Sequence, residues 1–148
     1  MMNQIKMYTW LAYLGALPFM LCAVMVKLGF NNLILLGDVI YAVNSYALVI
    51  VVFMSGIHWG TYLSSNQCNS INLLLTSNTI TIFSWLVFLT TPTPIVLVFY
   101  CVVFLLLLLI DMKLFSYNII SKKYFITRCV VTSIVITSLL IIVISKMA

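Results

Sequence analysis

Long apolar stretches alternate with short polar ones along the whole chain. The stretch Ile95–Ile110 is the clearest example, because it contains no charged residue. A strand of a membrane barrel would alternate apolar and polar residues at every second position. A continuous apolar stretch in lipid must instead satisfy its backbone hydrogen bonds within itself, which only an α-helix does. The pattern therefore predicts apolar α-helices that cross a bilayer.

Polar and proline-containing breaks divide the sequence into five predicted spans. The spans cover about residues 8–28, 38–63, 71–90, 95–110 and 125–145. Asp38 follows Gly37 and has the side chain expected of an N-cap, so we start the second helix there. The other breaks are the polar turn Ser64–Gln67, the proline pair Pro92–Pro94, and Asp111, which we expect to end the fourth span. The predicted fold class is all-α, a single transmembrane domain over residues 1–148.

Composition excludes a water-soluble domain. Hydrophobic residues make up 65% of the chain and charged residues 6%, whereas about a quarter of an average soluble domain is charged. The lipid bilayer is therefore the expected surrounding of most of the surface. The net charge of +5 is spread along the chain. It lacks the dense basic patch of a nucleic-acid-binding protein, so no nucleic acid partner is expected.

The positive charges predict the orientation of the bundle. Five spans put the two termini on opposite sides of the membrane. The side of the N-terminus holds most of the basic residues, namely Lys6, Lys113, Lys122, Lys123 and Arg128, while the other side holds Lys27 and Lys146. The positive-inside rule then predicts a cytoplasmic N-terminus and an outside C-terminus. The first apolar stretch is long enough to span, and no Arg/Ser-rich presequence precedes it, which argues against import into an organelle.

A few polar residues near the cytoplasmic face form the candidate functional site. The candidate residues are His58, Trp59, Asp111, Tyr124 and Arg128. The order of the spans predicts that His58, Asp111 and Arg128 lie in one layer of the bundle. One interpretation is structural, an interfacial ion pair or a set of helix caps that fixes the helices. The other is a buried proton or ligand site, since charged groups in a span often mark function and histidine changes charge near neutral pH.

Small and amide residues within the spans indicate how the helices pack. Gly56 and Gly60 have the spacing that lets helix backbones approach closely, so we expect this face of the second helix to pack against a neighbour. Asn44, Ser45 and Asn78 with Thr79 lie at membrane depth. Interhelical hydrogen bonds are their simplest explanation.

Residues with the spacing of a metal or catalytic site are not recognisable in the sequence. The four cysteines, Cys22, Cys68, Cys101 and Cys129, form no CxxC pair. Three of them, Cys22, Cys101 and Cys129, lie in apolar stretches, where cysteine acts as a small hydrophobic residue. The acids Asp38 and Asp111 are predicted on opposite sides of the membrane, which excludes a paired-carboxylate mechanism within one chain. We therefore expect no cofactor, no metal and no enzymatic activity.

Several short motifs follow one another in a recognisable order over nearly the whole chain. The most specific element is Gly56-Ile57-His58-Trp59-Gly60, and the others are Leu14-Gly15, Pro18-Phe19, Tyr46, Phe53, Ser77, Trp85, Asp111, Tyr124 and Arg128. In these residues the chain resembles a family of small multi-pass membrane proteins of unknown function that includes the mitochondrial transmembrane protein 69. Ser55 and Ile80 depart from the pattern, where a glycine and a proline are usual. The resemblance implies a bacterial inner-membrane or mitochondrial membrane protein and brings no activity with it.

Three hypotheses for the function remain after these observations. The leading one is a non-enzymatic accessory or assembly partner of a membrane complex, with other membrane proteins or a second copy of the chain as partners. The alternative is a small transporter or proton-coupled carrier in which His58, Asp111 and Arg128 line a cytoplasmic-side cavity. A third is a membrane enzyme acting on lipid or quinone with His58 as general base. The bacterial inner membrane is the expected location.

Overall fold

Five long α-helices form the described part of the chain. The computed structural model describes residues 4–30, 32–33, 37–64 and 72–147. Its helices are α1 (Gln4–Lys27), α2 (Val39–Ser64), α3 (Leu73–Thr90), α4 (Thr93–Ser116) and α5 (Lys122–Met147). Each of these five is long and apolar enough to cross a membrane. The all-α bundle of five transmembrane helices predicted from the sequence is confirmed.

The fourth helix differs most from its predicted span. Helix α4 continues through Asp111 and ends only at Ser116, so the expectation that Asp111 ends it is wrong. The helix continues because the carboxylate of Asp111 is paired inside the bundle and does not have to reach water. Beyond Tyr117, Asn118 adopts a left-handed conformation with φ of 58°. Asparagine tolerates this conformation after a helix, and it stops α4 there.

Short local structures join the other helices. A pair of two-residue strands, Asn32–Leu33 and Gly37–Asp38, runs antiparallel between α1 and α2. Asp38 then caps α2 as predicted, because its Oδ1 accepts a hydrogen bond of 2.7 Å from the backbone N–H of Ile40. Asn72 caps α3 in the same way. The rest of the predicted polar turn 65–67, the predicted start of the third span at residue 71, and Cys68 lie outside the described residues.

The helices run alternately, so that α1 and α5 begin at the same end of the bundle. The rings of Tyr8 and Tyr124 confirm this, since their centroids are 6.1 Å apart. We call this end, where α2 and α4 finish, the basic end; its residues include Lys6, Lys113, Lys122 and Lys123. Helix α1 packs mainly along α5, α5 packs on α4, and α2 lies between α3 and α4.

Aromatic and aliphatic side chains fill the centre of the bundle. Phe19 is fully buried and packs edge-on against Phe104, with ring centroids 6.1 Å apart. It also contacts Tyr46 at 5.1 Å. Tyr46 donates a hydrogen bond of 3.0 Å from its hydroxyl to the carbonyl of Gly15, which ties α2 to α1. Pro18, one turn after Leu14, has no backbone N–H and so cannot donate the usual helical hydrogen bond to the carbonyl of Leu14.

The predicted interhelical hydrogen bonds of Ser45 and Asn78 are wrong. Ser45 donates to the carbonyl of Ala42, and Asn78 donates to that of Leu74, so each side chain bonds within its own helix. A carbonyl about one turn earlier is always within reach of a short polar side chain, whatever the neighbouring helix offers. Asn44 is buried, and its Oδ1 has no partner in the described part of the chain.

The predicted packing of Gly56 and Gly60 against a neighbouring helix of the chain is also wrong. Both glycines are exposed, and a Cβ built on either would meet nothing within 4 Å. The reason is the face that α2 buries, which carries Met54, Ser55 and His58. Gly56 and Gly60 lie on another side of the helix and face outward in this chain.

The Tyr46 hydroxyl gives the first testable prediction. Replacement of Tyr46 by Phe removes the hydrogen bond to Gly15 and keeps the ring contact with Phe19, so the free energy of unfolding should fall by about 1 kcal/mol. Unfolding in mixed detergent–SDS micelles, followed by circular dichroism, measures this change.

Tyr100→Phe is the matched control for that experiment. Tyr100 is fully buried, and its hydroxyl has no hydrogen-bond partner among the described residues. Removal of this hydroxyl should leave the stability unchanged or raise it. Equal losses in the two variants would contradict the assignment of a stabilising bond to Tyr46.

Candidate functional site

Ionisable side chains from three helices meet inside the bundle near its basic end. His58 lies on α2, Asp111 on α4 and Arg128 on α5. Each lies roughly 7 to 9 Å inside the end of its helix, at a rise of about 1.5 Å per residue. The prediction that these residues share one layer is confirmed by their direct contacts.

The carboxylate of Asp111 joins the other two side chains. Its Oδ1 lies 2.9 Å from Nε2 of His58, and its Oδ2 accepts a hydrogen bond of 2.8 Å from Nε of Arg128. An ionised carboxylate can only accept, so His58 donates from Nε2. We call these residues the His–Asp–Arg cluster.

The cluster is enclosed by protein. His58 and Asp111 are each 1% exposed, and Arg128 is 7% exposed. A charge alone near the middle of a span is unfavourable by about 2.5–3.5 kcal/mol on insertion scales. The contact between Asp111 and Arg128 neutralises both charges, which explains how α4 can carry an acid inside the membrane. The expected ion pair is therefore present, while a proton or ligand role of the cluster stays a hypothesis.

Some polar atoms of the cluster are left without a partner. Nδ1 of His58 and Nη2 of Arg128 are buried and make no hydrogen bond to the described part of the chain. Nη2 is a donor, and Nδ1 is an acceptor when Nε2 carries the proton. The cluster can therefore bind one more acceptor at Arg128 and one more donor at His58.

The remaining predicted site residues are not joined to the cluster by a hydrogen bond. Tyr124 packs against Tyr8, and its hydroxyl is buried without a partner among the described residues. Trp59 is 40% exposed on the outside of α2. Its neighbours on that side are Gly56 and Gly60, which are exposed as well. The structure thus joins three of the five predicted residues by hydrogen bonds, while Trp59 lies on the outer side of α2 and Tyr124 bonds to none of the three.

A groove between α1 and α2 lies beside the cluster. It is a cavity of about 500 Å³ with α5 as its floor, and we call it the α1–α2 groove. Its lining is largely apolar, and the polar residues lie on α1 and α5: Tyr8, Tyr124, Thr127, Arg128 and Thr132. Arg128 is the member of the cluster that lines the groove, whereas His58 and Asp111 do not line it. Asp111 therefore positions Arg128 through Nε, and the buried Nη2 of Arg128 has no hydrogen-bond partner among the described residues.

The groove was missed from the sequence, although one signal for it exists. Its α5 residues, from Tyr124 through Arg128 to Val135, recur at intervals of three and four, which places them on one face of the helix. A second cavity of about 510 Å³ lies farther along α1 and α2, with Pro18, Tyr41 and Ser45 in its lining.

The cysteines in the described part of the chain do not enter the site. Cys22 and Cys101 are buried and free, and Cys129 is half-buried and free. Within the described residues, no three His, Cys, Asp or Glu side chains lie close enough together to hold a metal ion.

The comparison with known proteins gives a family without an assigned activity. A family model described as "Protein of unknown function (DUF3429)" matches residues 4–144. No curated protein and no solved structure matches the chain. The match includes every residue of the His–Asp–Arg cluster and every residue that lines the α1–α2 groove.

The charge at the centre of the cluster gives the second prediction. Asp111→Asn keeps the shape of the side chain but leaves Arg128 buried without a counter-charge. Loss of one partner of a buried ion pair is strongly destabilising, so the free energy of unfolding should fall by about 3 kcal/mol. The same micellar unfolding measurement checks it.

Asp38→Asn is the matched control, since it makes the same chemical change in the other acid of the chain. Asp38 is exposed and acts as an N-cap, a role that asparagine performs equally well. Its stability should change by less than about 0.5 kcal/mol. If the two variants unfold alike, the cluster does not stabilise the bundle.

Proposed function

We propose that this chain, a member of the DUF3429 family of proteins of unknown function, is a non-enzymatic accessory protein that binds another protein inside the membrane. The observation that carries the proposal is the enclosed position of the polar chemistry. His58 and Asp111 are each 1% exposed and bond to one another. A general base has to come within hydrogen-bond reach of its substrate, which favours binding over catalysis as the function.

The outward face of α2 favours the binding of a partner helix. Gly56 and Gly60 are exposed there, next to Trp59. Glycine lowers helix stability by about 1 kcal/mol relative to alanine, and neither glycine is required by contacts within the chain, since an added Cβ would meet nothing within 4 Å. A transmembrane helix of a partner can approach closely at such a pair, which would compensate for that cost.

The carrier hypothesis has less support. A proton-coupled carrier needs its ionisable groups on the wall of a cavity that substrate can enter. Arg128 lines the α1–α2 groove, but His58 and Asp111 do not. A carrier would therefore have to open the cluster during transport, and Asp111→Asn would then abolish flux in reconstituted vesicles.

The location and orientation are part of the same proposal. We infer a bacterial inner membrane with the basic end in the cytoplasm, supported by Lys6, Lys113, Lys122 and Lys123 at that end, against Lys27 and Lys146 at the other. Kinship with the mitochondrial transmembrane protein 69 is also inferred, from the residues Gly56-Ile57-His58-Trp59-Gly60.

The third prediction tests the partner directly. Gly56→Leu and Gly60→Leu should leave the monomer folded, because both positions are exposed and an added Cβ meets nothing within 4 Å among the described residues. Both substitutions should remove the protein from its assembly. Native gel electrophoresis of gently solubilised membranes, with chemical cross-linking before solubilisation, measures the fraction of protein in the assembly. We expect a loss of at least about tenfold for a close helix contact, equivalent to 1.4 kcal/mol.

Ser133→Leu is the control, since it places the same leucine side chain at an exposed position on α5. It should assemble like the wild-type chain. A wild-type chain that runs alone, or one that is cross-linked solely to further copies of itself, would contradict the accessory role. Retention of the assembly by both glycine variants would contradict the proposed face.

A further inference from the structure

The α1–α2 groove extends over about half the thickness of a membrane. Along α5 it reaches from Tyr124 to Val135, a rise of roughly 16 Å at about 1.5 Å per residue. The whole of α5 has 26 residues, or about 39 Å on the same basis, which approaches the 40–45 Å of a bilayer with its headgroups. The groove thus corresponds to one leaflet, the leaflet at the basic end.

The two ends of the groove differ in chemistry. The end near the middle of the membrane is apolar and is lined by Phe19, Val49 and Phe104. The end near the surface contains Tyr124 and Arg128. The Tyr124 hydroxyl and Nη2 of Arg128 are buried and have no hydrogen-bond partner among the described residues. The Arg128 side chain as a whole is more than nine-tenths buried. Unpaired buried donors of this kind favour a ligand that brings an acceptor.

The charge of the surface end is positive. Helices α1 and α5 both begin there, and the positive end of a helix dipole attracts anions. Lys122 and Lys123 are exposed in the first turn of α5. The carboxylate of Asp111 is already satisfied by His58 and by Nε of Arg128, so it leaves Nη2 free to bind a second anion.

We propose that the α1–α2 groove binds an anionic phospholipid from the leaflet at the basic end. One acyl chain lies along α5 between α1 and α2, and the phosphate accepts hydrogen bonds from Arg128 and Tyr124. The volume of about 500 Å³ lies within the range of small-molecule sites. Basic pockets between transmembrane helices are a known way to hold lipid headgroups. This inference does not rest on the proposed partner at Gly56 and Gly60, which lie outside the groove lining.

The test measures lipid binding by native mass spectrometry. Delipidated protein is titrated in detergent with phosphatidylglycerol and with phosphatidylcholine of the same acyl chains. The wild-type protein should bind one phosphatidylglycerol at least about tenfold more tightly than phosphatidylcholine. Glycerol 3-phosphate, which has the phosphate without the chains, should not bind in the same range, because the groove contributes through its apolar walls.

Two substitutions examine the headgroup end and the apolar wall of the groove separately. Tyr124→Phe removes a hydroxyl that has no partner among the described residues, so it should not lower stability. It should weaken phosphatidylglycerol binding by about tenfold. Tyr100→Phe removes an equally unpartnered hydroxyl away from the groove and should bind like the wild type. Ala12→Phe places a ring in the groove and should reduce binding of both lipids.

The contrary results are equally definite. Equal affinity for the two phospholipids, or equal binding by Tyr124→Phe and the wild type, would overturn the assigned headgroup site. Tight binding of glycerol 3-phosphate would mean an anion site without a lipid chain. A spectrum dominated by protein dimers that Ala12→Phe abolishes would mean that a second copy of the chain occupies the groove. Each of these outcomes leaves the proposed partner at Gly56 and Gly60 untouched.

Discussion

The carboxylate of Asp111 is the constraint on which the arrangement of the bundle depends. It is a charged group inside an apolar helix, and lipid offers it no hydrogen bond, so it must find its partners within the protein. It finds them on two other helices, 2.9 Å away on His58 and 2.8 Å away on Arg128. Helices α2, α4 and α5 are thereby held in one rotation about their axes. Apolar packing alone would specify that rotation less sharply, because many apolar faces pack almost equally well.

The position of the cluster determines the chemistry of the remaining surfaces. Asp111 binds Nε of Arg128, and Arg128 also lines the α1–α2 groove, so the internal ion pair and the groove share one residue. Helix α2 turns His58 inward, and because a helix has a fixed period this turns Gly56 and Gly60 outward. The same interaction therefore accounts for both surfaces where binding is proposed, one for a lipid and the other for a partner helix.

The sequence predicts the number of helices and the layer of the cluster well. Hydrophobicity identifies the spans, and alternation of direction brings His58, Asp111 and Arg128 to one end. What the sequence could not predict depends on the rotation of each helix about its axis and on which side chains pair. The predicted end of α4 is wrong because a paired aspartate does not break a helix. The predicted packing of Gly56 and Gly60 within the chain is wrong because their spacing does not reveal which face of α2 turns inward. The groove could not be predicted, because it depends on how far α1 lies from α2, and no local sequence pattern shows that distance.

Solid-state NMR in lipid bilayers tests the central claim most directly. His58 is the only histidine of the chain, Arg128 the only arginine, and Asp111 one of two acids, so labelling by residue type with Asp38→Asn assigns each signal. We predict strong dipolar coupling from the carboxyl carbon of Asp111 to both Nε2 of His58 and Nε of Arg128, as expected for contacts of 2.9 and 2.8 Å. Loss of either coupling in a folded sample would contradict a single carboxylate that joins the three helices.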